Sequence, residues 1–558
     1  MRLSSVFKFI LLFEIAFYQT IYSSSPKFAI ATVDPISTNA GAKTLMNGGN
    51  AFDAAVAAAL TLGVVNGYNS GIGGGCFIIG RKSNGEIFVI NGRERAPLKS
   101  NEKMFIRNGK PQGNLSKEGS LSIAVPGALM AYSELSSNHG NIPLKKHLEN
   151  AAIIADEGFI ISERFHERIK TSASRLRKYE GSSDVFLNGD GLAKKKGSQL
   201  IQKDLARTYR EIAKNGTEWF YKGPFAKKTA RWMKQNGGIM DEDDFAKYFI
   251  TKPKPIKSSY KTYTIIGMPP PSSGGIHVAQ ILNILENFDL QKIKPNSLEF
   301  YHLVAESMKL AFADRAHWLG DPAFAKIPKG LITKDYGKYL SKKINPQRST
   351  NVKSHSTPKD YDVNIFDKHT THLCCIDNKG NWVAITATIN TSFGSKVIIP
   401  GTGVLMNNEM DDFSIMPGTQ NAFGLVGNIS NKIEPGKRPL SSMSPTIVLK
   451  DNKPVLTTGA AGGPTIISQT VLNLIRVLEY GIEIDEANMM PRIHHQWIPN
   501  LLRVERSVGD KIISSLKLMG HETQIYEKFG SSQAISEIDE KMNAIYDLRS
   551  GGKSMIHQ

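Results

Sequence analysis

Apolar and polar positions along the chain switch between two periods, and the switch divides it. "MNGGNAFDAAVAAALTLGVVN" is helical, with Asn50 placed to cap it and Asp53 in its first turn. Its alanines, Ala54, Ala55, Ala57, Ala58 and Ala59, make a thin helix that can lie close to a sheet. "SGIGGGCFIIG" then leads from glycines into an apolar strand. A phosphate loop runs from strand through glycines to a helix, so this order excludes a nucleotide site here. Residues 130 to 250 carry helical patterning that ends in "GGIMDEDDF", and "MPPPSSGG" at 268 to 275 is a rigid loop before a helix near Ile276. Ser297 can cap another helix, in which Tyr301, Val304, Ala305, Met308, Ala311 and Phe312 recur at helical spacing.

From residue 370 the pattern changes to short alternating strands, at 370–376, 382–390, 444–449 and 454–459, with helices resuming near 465 and 509. No repeat is evident, and the mixture predicts layered helices and antiparallel sheet. "DKHTTHLCCIDNKGNWVAITATIN" (367–390) has the shape of a hairpin. With its turn centred on Lys379, Thr370 falls opposite Thr388, and Thr370, His372 and Cys374 share a face with Thr388 and Asn390 nearby. A slip of one residue would reverse that facing.

Composition narrows the class. The 558 residues, 41% apolar and 22% charged, suit a globular chain of one or two folding units. The 69 basic against 51 acidic residues leave +18, but the basic residues are scattered and no nucleic-acid motif accompanies them. A lysine-rich surface explains them better than a nucleic-acid partner. Arg2 and Lys8, the apolar run Phe9 to Tyr18, and Ser23, Ser24 and Ser25 predict an export signal over residues 1–25, although Glu14 interrupts the run. A membrane anchor is the competing reading, but the run falls short of the ~20 apolar residues that a spanning helix needs. The three cysteines, Cys76, Cys374 and Cys375, read as small buried hydrophobes rather than disulfide partners.

Thr370 carries the candidate chemistry. A threonine hydroxyl needs a base, and the nearest would be its own α-amino group, which exists only if the bond between His369 and Thr370 is broken. With a free-amine pKa of about 7.7–8.0, that group could serve near neutral pH. The hydroxyl could make the break itself by attacking the preceding carbonyl, giving an ester that water opens. Against this, paired threonines are ordinary in exposed strands. His369 and His372 raise the question of metal, but no metal-binding signature or third ligand accompanies them.

The company of Thr370 decides the reading. "TTH" at 370–372, "TATINTSFG" at 386–394, "NNEMDDFS" at 407–414, "GLVG" at 424–427, "KRPLSSMSPTIV" at 437–448, "GAAGG" at 459–463 and "PRIHHQW" at 491–497, with "GRERAP" at 92–97 and "MPPPSSGG", resemble the γ-glutamyltransferase family. The likeness spans nearly the whole exported chain. It implies an α+β fold, the four-layer αββα sandwich of the N-terminal nucleophile hydrolases. It also implies self-cleavage before Thr370 into a large piece (26–369) and a small piece (370–558) that stay entwined. The activity implied is transfer of a γ-glutamyl group from glutathione or a related amide to water, an amino acid or a dipeptide, without a cofactor or metal.

Carried over residue by residue, the resemblance makes Thr370 the nucleophile, Thr388 the assisting hydroxyl, and Gly462 and Gly463 the oxyanion hole. Arg93, Ser441 and Ser442 resemble the clamp on the substrate's α-carboxylate, with Arg95 as decoy. Asn390, Glu409 and Asp412 resemble the receptors of its α-ammonium, and Asp411 is expected to be a solvated neighbour. Glu409 stands where some bacterial members have Gln and the mammalian pattern has Glu. Phe423 occupies the lid position where bacterial members can carry Tyr, so it lacks a hydroxyl to bond Asn390. The "NTS" sequon at Asn390 is read as coincidental, since a glycan there would block the pocket.

Two alternatives stay open. A β-lactam acylase of the same superfamily would share the threonine chemistry without needing the amino-acid clamp, and an uncleaved exported binding protein would keep only the fold. Export predicts the periplasm or extracellular fluid.

Overall fold

The hairpin lies inside a six-stranded antiparallel sheet, in the order Lys553–His557, Phe28–Thr32, His372–Ile376, Trp382–Thr388, Gly75–Arg81, Ile87–Gly92. The computed structural model describes residues 27–358, 370–416 and 418–557. The export signal and His369 lie outside them. No helix among the described residues is long and apolar enough to cross a membrane.

A second antiparallel sheet has the order Lys541–Ile545, Ser531–Ile538, Lys453–Ala461, Thr446–Lys450, Tyr263–Gly267, Ile256–Tyr260. The sheets share a core. Phe77, Ile79, Cys374, Ile376 and Trp382 of the first pack with Ile266, Ile447, Leu449 and Ile535 of the second. Alternation sends the neighbours outward: Ile78, Leu373 and Cys375 pack instead among helical residues such as Ala54, Ala55 and Ala58. Burial on both faces explains why these strands read as near-continuous apolar runs.

The alanine-rich helix, Ala51–Val65, is buried throughout, and Asn50 and Asp53 close a reciprocal capping box at its start. Small side chains suit its place against the hairpin strands. On the second sheet, Gly274–Leu285, Leu298–Trp318 and Thr465–Leu478 supply a separate helical core with Val448 and Leu456. Ser297 caps the middle helix as expected, its hydroxyl accepting from the Phe300 N–H at 3.2 Å.

The predicted hairpin register holds, with His372 opposite Thr386 and Ile376 opposite Trp382. The Asp377 carboxylate accepts from the N–H groups of Lys379 (2.9 Å) and Asn381 (3.0 Å), which sets the turn. The first regular strand starts at His372 rather than 370, and the second ends at Thr388 rather than 390, where Asn390 turns into the left-handed region at φ 74°.

Candidate active site

Thr370 lies just ahead of the first hairpin strand. Thr371 and Ala387 exchange both backbone hydrogen bonds, and the same register carried outward sets Thr370 opposite Thr388. The buried Thr388 hydroxyl oxygen accepts from the Asn390 N–H at 2.7 Å and so keeps its own proton to donate. His372 is 0% exposed, its Nδ1 3.0 Å from the Thr386 hydroxyl, and its ring lies against Gly459 of the other sheet. Burial pushes its pKa down to about 3, so it is a neutral core residue.

The glycine run before the strand Gly75–Arg81 has a steric purpose. A Cβ on Gly74 would collide with the Thr388 carbonyl, and one on Gly73 with that of Leu405. The run lets the end of the threonine strand approach the 404–408 segment, where Asn407 donates through Nδ2 to the Gly73 carbonyl at 2.8 Å. Asn408 then fixes the next loop, its carbonyl accepting from Asn390 Nδ2 (2.9 Å) and its side chain from the Thr391 N–H (3.1 Å). Neither asparagine was singled out from the sequence, because most of their partners are backbone groups distant in sequence.

Thr370, Asn390, Phe423, Gly462 and Gly463 line one cavity of about 970 Å³. The two glycines join the strand Lys453–Ala461 to the helix Thr465–Leu478, with φ of 130° and 63° that side chains rarely adopt. Lys396 braces the cavity loop from beneath: its buried amine donates to the carbonyls of Ser392 (2.7 Å) and Gly394 (2.6 Å), and burial lowers its pKa to about 7.

Arg93, Glu409 and Asp412 form a second group, fully buried and outside the cavity lining. Arg93 donates to Glu409 and, at 2.7 Å, to Asp412, with Glu94 3.3 Å away. Residues expected to receive opposite charges of a substrate are therefore each other's partners here. Burial is the main force raising the Glu409 carboxyl well above its usual range, and it raises Glu94 to about 7 against the opposing pull of Arg93. Arg93 also donates through Nε to the Pro439 carbonyl at 3.2 Å, two residues before Ser441. Ser441 and Ser442 are buried, and the Ser442 hydroxyl has no hydrogen-bond partner among the described residues. Arg95 is separate, donating to the Gly436 carbonyl at 2.8 Å and stacking on Phe249.

The two groups communicate through one loop. Asn421 donates to Asp412 at 3.3 Å and accepts from the Phe423 N–H at 3.0 Å. Asp411 is not solvated as expected. It is buried, accepting from the Ser116 hydroxyl at 2.6 Å and the Ala422 N–H at 2.8 Å, so both acids anchor the Phe423 loop. Elsewhere His302, Glu306 and His521 converge, but Glu306 is already bonded to Lys309 (2.6 Å) and the Thr350 N–H (2.9 Å), an internal ionic network.

Residues 37–557 match the family model of γ-glutamyltranspeptidase. A protein of Escherichia coli strain K12 named glutathione hydrolase proenzyme is 40% identical over 91% of this chain and 87% of its own. A solved cephalosporin acylase from Bacillus halodurans superposes with TM-score 0.85 at 26% identity, covering 95% of this chain and 96% of that one. A solved γ-glutamyltranspeptidase from Helicobacter pylori gives 0.56 at 38% identity, over 57% of this chain and 91% of that one. By sequence along nearly its whole length, and by fold, the chain belongs to the γ-glutamyltranspeptidase family.

Proposed function

We propose that the chain is an exported, self-processing enzyme that cleaves glutathione and other γ-glutamyl amides through a γ-glutamyl ester of Thr370. Its fold is then the four-layer αββα sandwich, with residues 26–369 and 370–558 as its two interlaced pieces. The observation that carries the reading is the placing of Thr370 on a cavity shared with Gly462, Gly463 and Asn390.

In the first step the Thr370 oxygen attacks the carbonyl of residue 369. The peptide C–N bond breaks in favour of an ester, the hydroxyl proton passing to the freed α-amine, and water then hydrolyses the ester, releasing the carboxylate of residue 369 and restoring the Thr370 hydroxyl. In turnover that amine takes the hydroxyl proton as the oxygen attacks the γ-carbonyl, and gives it to the departing amine. The backbone N–H groups of Gly462 and Gly463 receive the developing oxyanion. Water or an acceptor amine then releases the γ-glutamyl group. Arg93, Ser441 and Ser442 would hold the α-carboxylate and Asn390, Glu409 and Asp412 the α-ammonium, so substrate entry requires the Arg93 pairs to rearrange.

Terminal sequencing of the purified protein tests this. Two fragments are expected, the smaller beginning at Thr370, with turnover of a γ-glutamyl anilide. Thr370→Ala should remain one chain without turnover; an active intact chain refutes the reading. The likeness to the cephalosporin acylase favours a second reading, an acylase, which would prefer a glutaryl amide to the γ-glutamyl anilide.

A further inference from the structure

Gly462 and Gly463 bring two peptide planes to the cavity, and glycine leaves both planes free to turn. A planar trans peptide points its C=O and its N–H to opposite sides, so whatever holds the carbonyl aims the N–H. The peptide between Ala461 and Gly462 is held by Gln469, whose Nε2 donates to the Ala461 carbonyl at 2.9 Å. The peptide between Gly462 and Gly463 is held by Thr465, whose hydroxyl donates to the Gly462 carbonyl at 2.7 Å. Each proposed oxyanion donor thus has a side chain gripping the far end of its own amide.

The two grips are themselves joined and fixed. Gln469 Nε2 also donates to the carbonyl and the hydroxyl oxygen of Thr465, both at 3.1 Å, one turn back on the helix Thr465–Leu478. The Thr465 oxygen accepts there, so its own proton stays on the Gly462 carbonyl. Arg492 donates to Gln469 Oε1 at 3.1 Å and so fixes which end of that amide faces the turn. Both side chains are buried, and neither lines the cavity. Gly530 passes so close to Gln469 that a Cβ there would come within 2.3 Å of its amide carbon. The amide therefore has no room to swing aside.

We infer that Gln469 and Thr465 are positioning residues that lock the oxyanion turn, holding both glycine N–H groups toward the cavity before substrate arrives. This rests on the proposed role of Gly462 and Gly463 beside Thr370, and it adds what keeps two flexible planes from flipping. Donors set in advance act on the transition state, so losing the lock lowers kcat and spares ground-state binding.

The experiment compares Thr465→Val, which keeps the shape and removes the hydroxyl, with Thr465→Ser, which keeps the hydroxyl, both as processed protein. With a γ-glutamyl anilide, Thr465→Val should lower kcat by about tenfold to a hundredfold and move KM by less than about twofold. Thr465→Ser should restore kcat to within about threefold of the wild type. A second readout uses the glutamate analogue in which a boronic acid replaces the γ-carboxyl, since its tetrahedral adduct with Thr370 puts an oxygen where the oxyanion forms. Its inhibition should weaken in step with kcat, whereas inhibition by glutamate should match the wild type. Gln469→Leu frees the other plane and should behave as Thr465→Val does. Wild-type kcat in Thr465→Val, a Thr465→Ser variant as slow as Thr465→Val, or equal weakening of the boronic acid and glutamate overturns the inference and leaves the proposed function standing. A wild type that turns over no γ-glutamyl anilide overturns both. Glutamate inhibition also certifies a folded site, so the Thr465 pair decides the matter even if Gln469→Leu misfolds.

Discussion

Arg93 and Asp412, 319 residues apart in sequence, meet in an ion pair of 2.7 Å with both side chains inaccessible. Glu409, whose carboxyl burial holds well above its usual range, bonds the same guanidinium, so a single fork serves two buried acids that have no water to turn to. Replacing Arg93 with Ala should therefore cost about 3–5 kcal/mol of stability, read as a fall in the chemical-denaturation midpoint. Arg93→Lys keeps the charge but loses the fork, so it should fold better than the Ala variant while kcat/KM for a γ-glutamyl anilide drops by about tenfold or more. Wild-type kcat/KM in Arg93→Lys would remove Arg93 from substrate recognition.

Gly462 adopts φ 130°, and a methyl group there would meet the Thr465 hydroxyl at 2.5 Å. Gly462→Ala must shift the turn that carries the two proposed oxyanion donors. Turnover should fall by about 10²–10³ through kcat, with little change in KM. Steady-state kinetics on protein whose circular dichroism matches the wild type provides the check.

The Asn390 side-chain oxygen is buried without a hydrogen-bond partner among the described residues, and Phe423 lines the same cavity. Phe423→Tyr adds a hydroxyl that can supply the missing donor. It should latch the 418–427 loop more firmly, seen as slower proteolysis there and a changed ratio of hydrolysis to transfer. Identical proteolysis and product ratios in the two proteins would count against a lid at this position.

Lys396 offers a pH test. Its folded pKa lies near 7, below the ordinary 10.5, because burial disfavours the ammonium. From pH 7 to 10.5 the unfolded chain holds a proton at this residue that the folded chain has released, so the contribution of Lys396 to stability rises with pH across that window. It is fully present above 10.5 and lost as pH falls toward 7. Denaturation midpoints of Lys396→Met relative to wild type should accordingly worsen from pH 7 to 10, whereas a constant difference would show an ordinary lysine pKa.

Legibility from sequence followed the range of the interactions. The hairpin register was readable because the five-residue turn Asp377–Asn381 fixes it locally. The caps at Asn50 and Ser297 were readable for the same reason. The strands Ile256–Tyr260, Tyr263–Gly267 and Lys553–His557 were missed, since their alternation is broken by lysine, serine and tyrosine at or near sheet edges. Family resemblance picked out Arg93 and Asp412, but nothing in either neighbourhood reveals that they bond each other. Asp411 was misjudged because its burial depends on Ser116, almost three hundred residues earlier.

The strand Phe28–Thr32 lies between Lys553–His557 and His372–Ile376, both of which follow Thr370 in the chain. In the other sheet Tyr263–Gly267, which precedes Thr370, is zipped to Thr446–Lys450, which follows it. A cut before Thr370 would thus release no piece able to leave. Each product would hold strands that complete the other's sheets, and parting them would mean melting both. Dissociation and denaturation would then be one event, and dilution alone should never resolve the mature protein into halves.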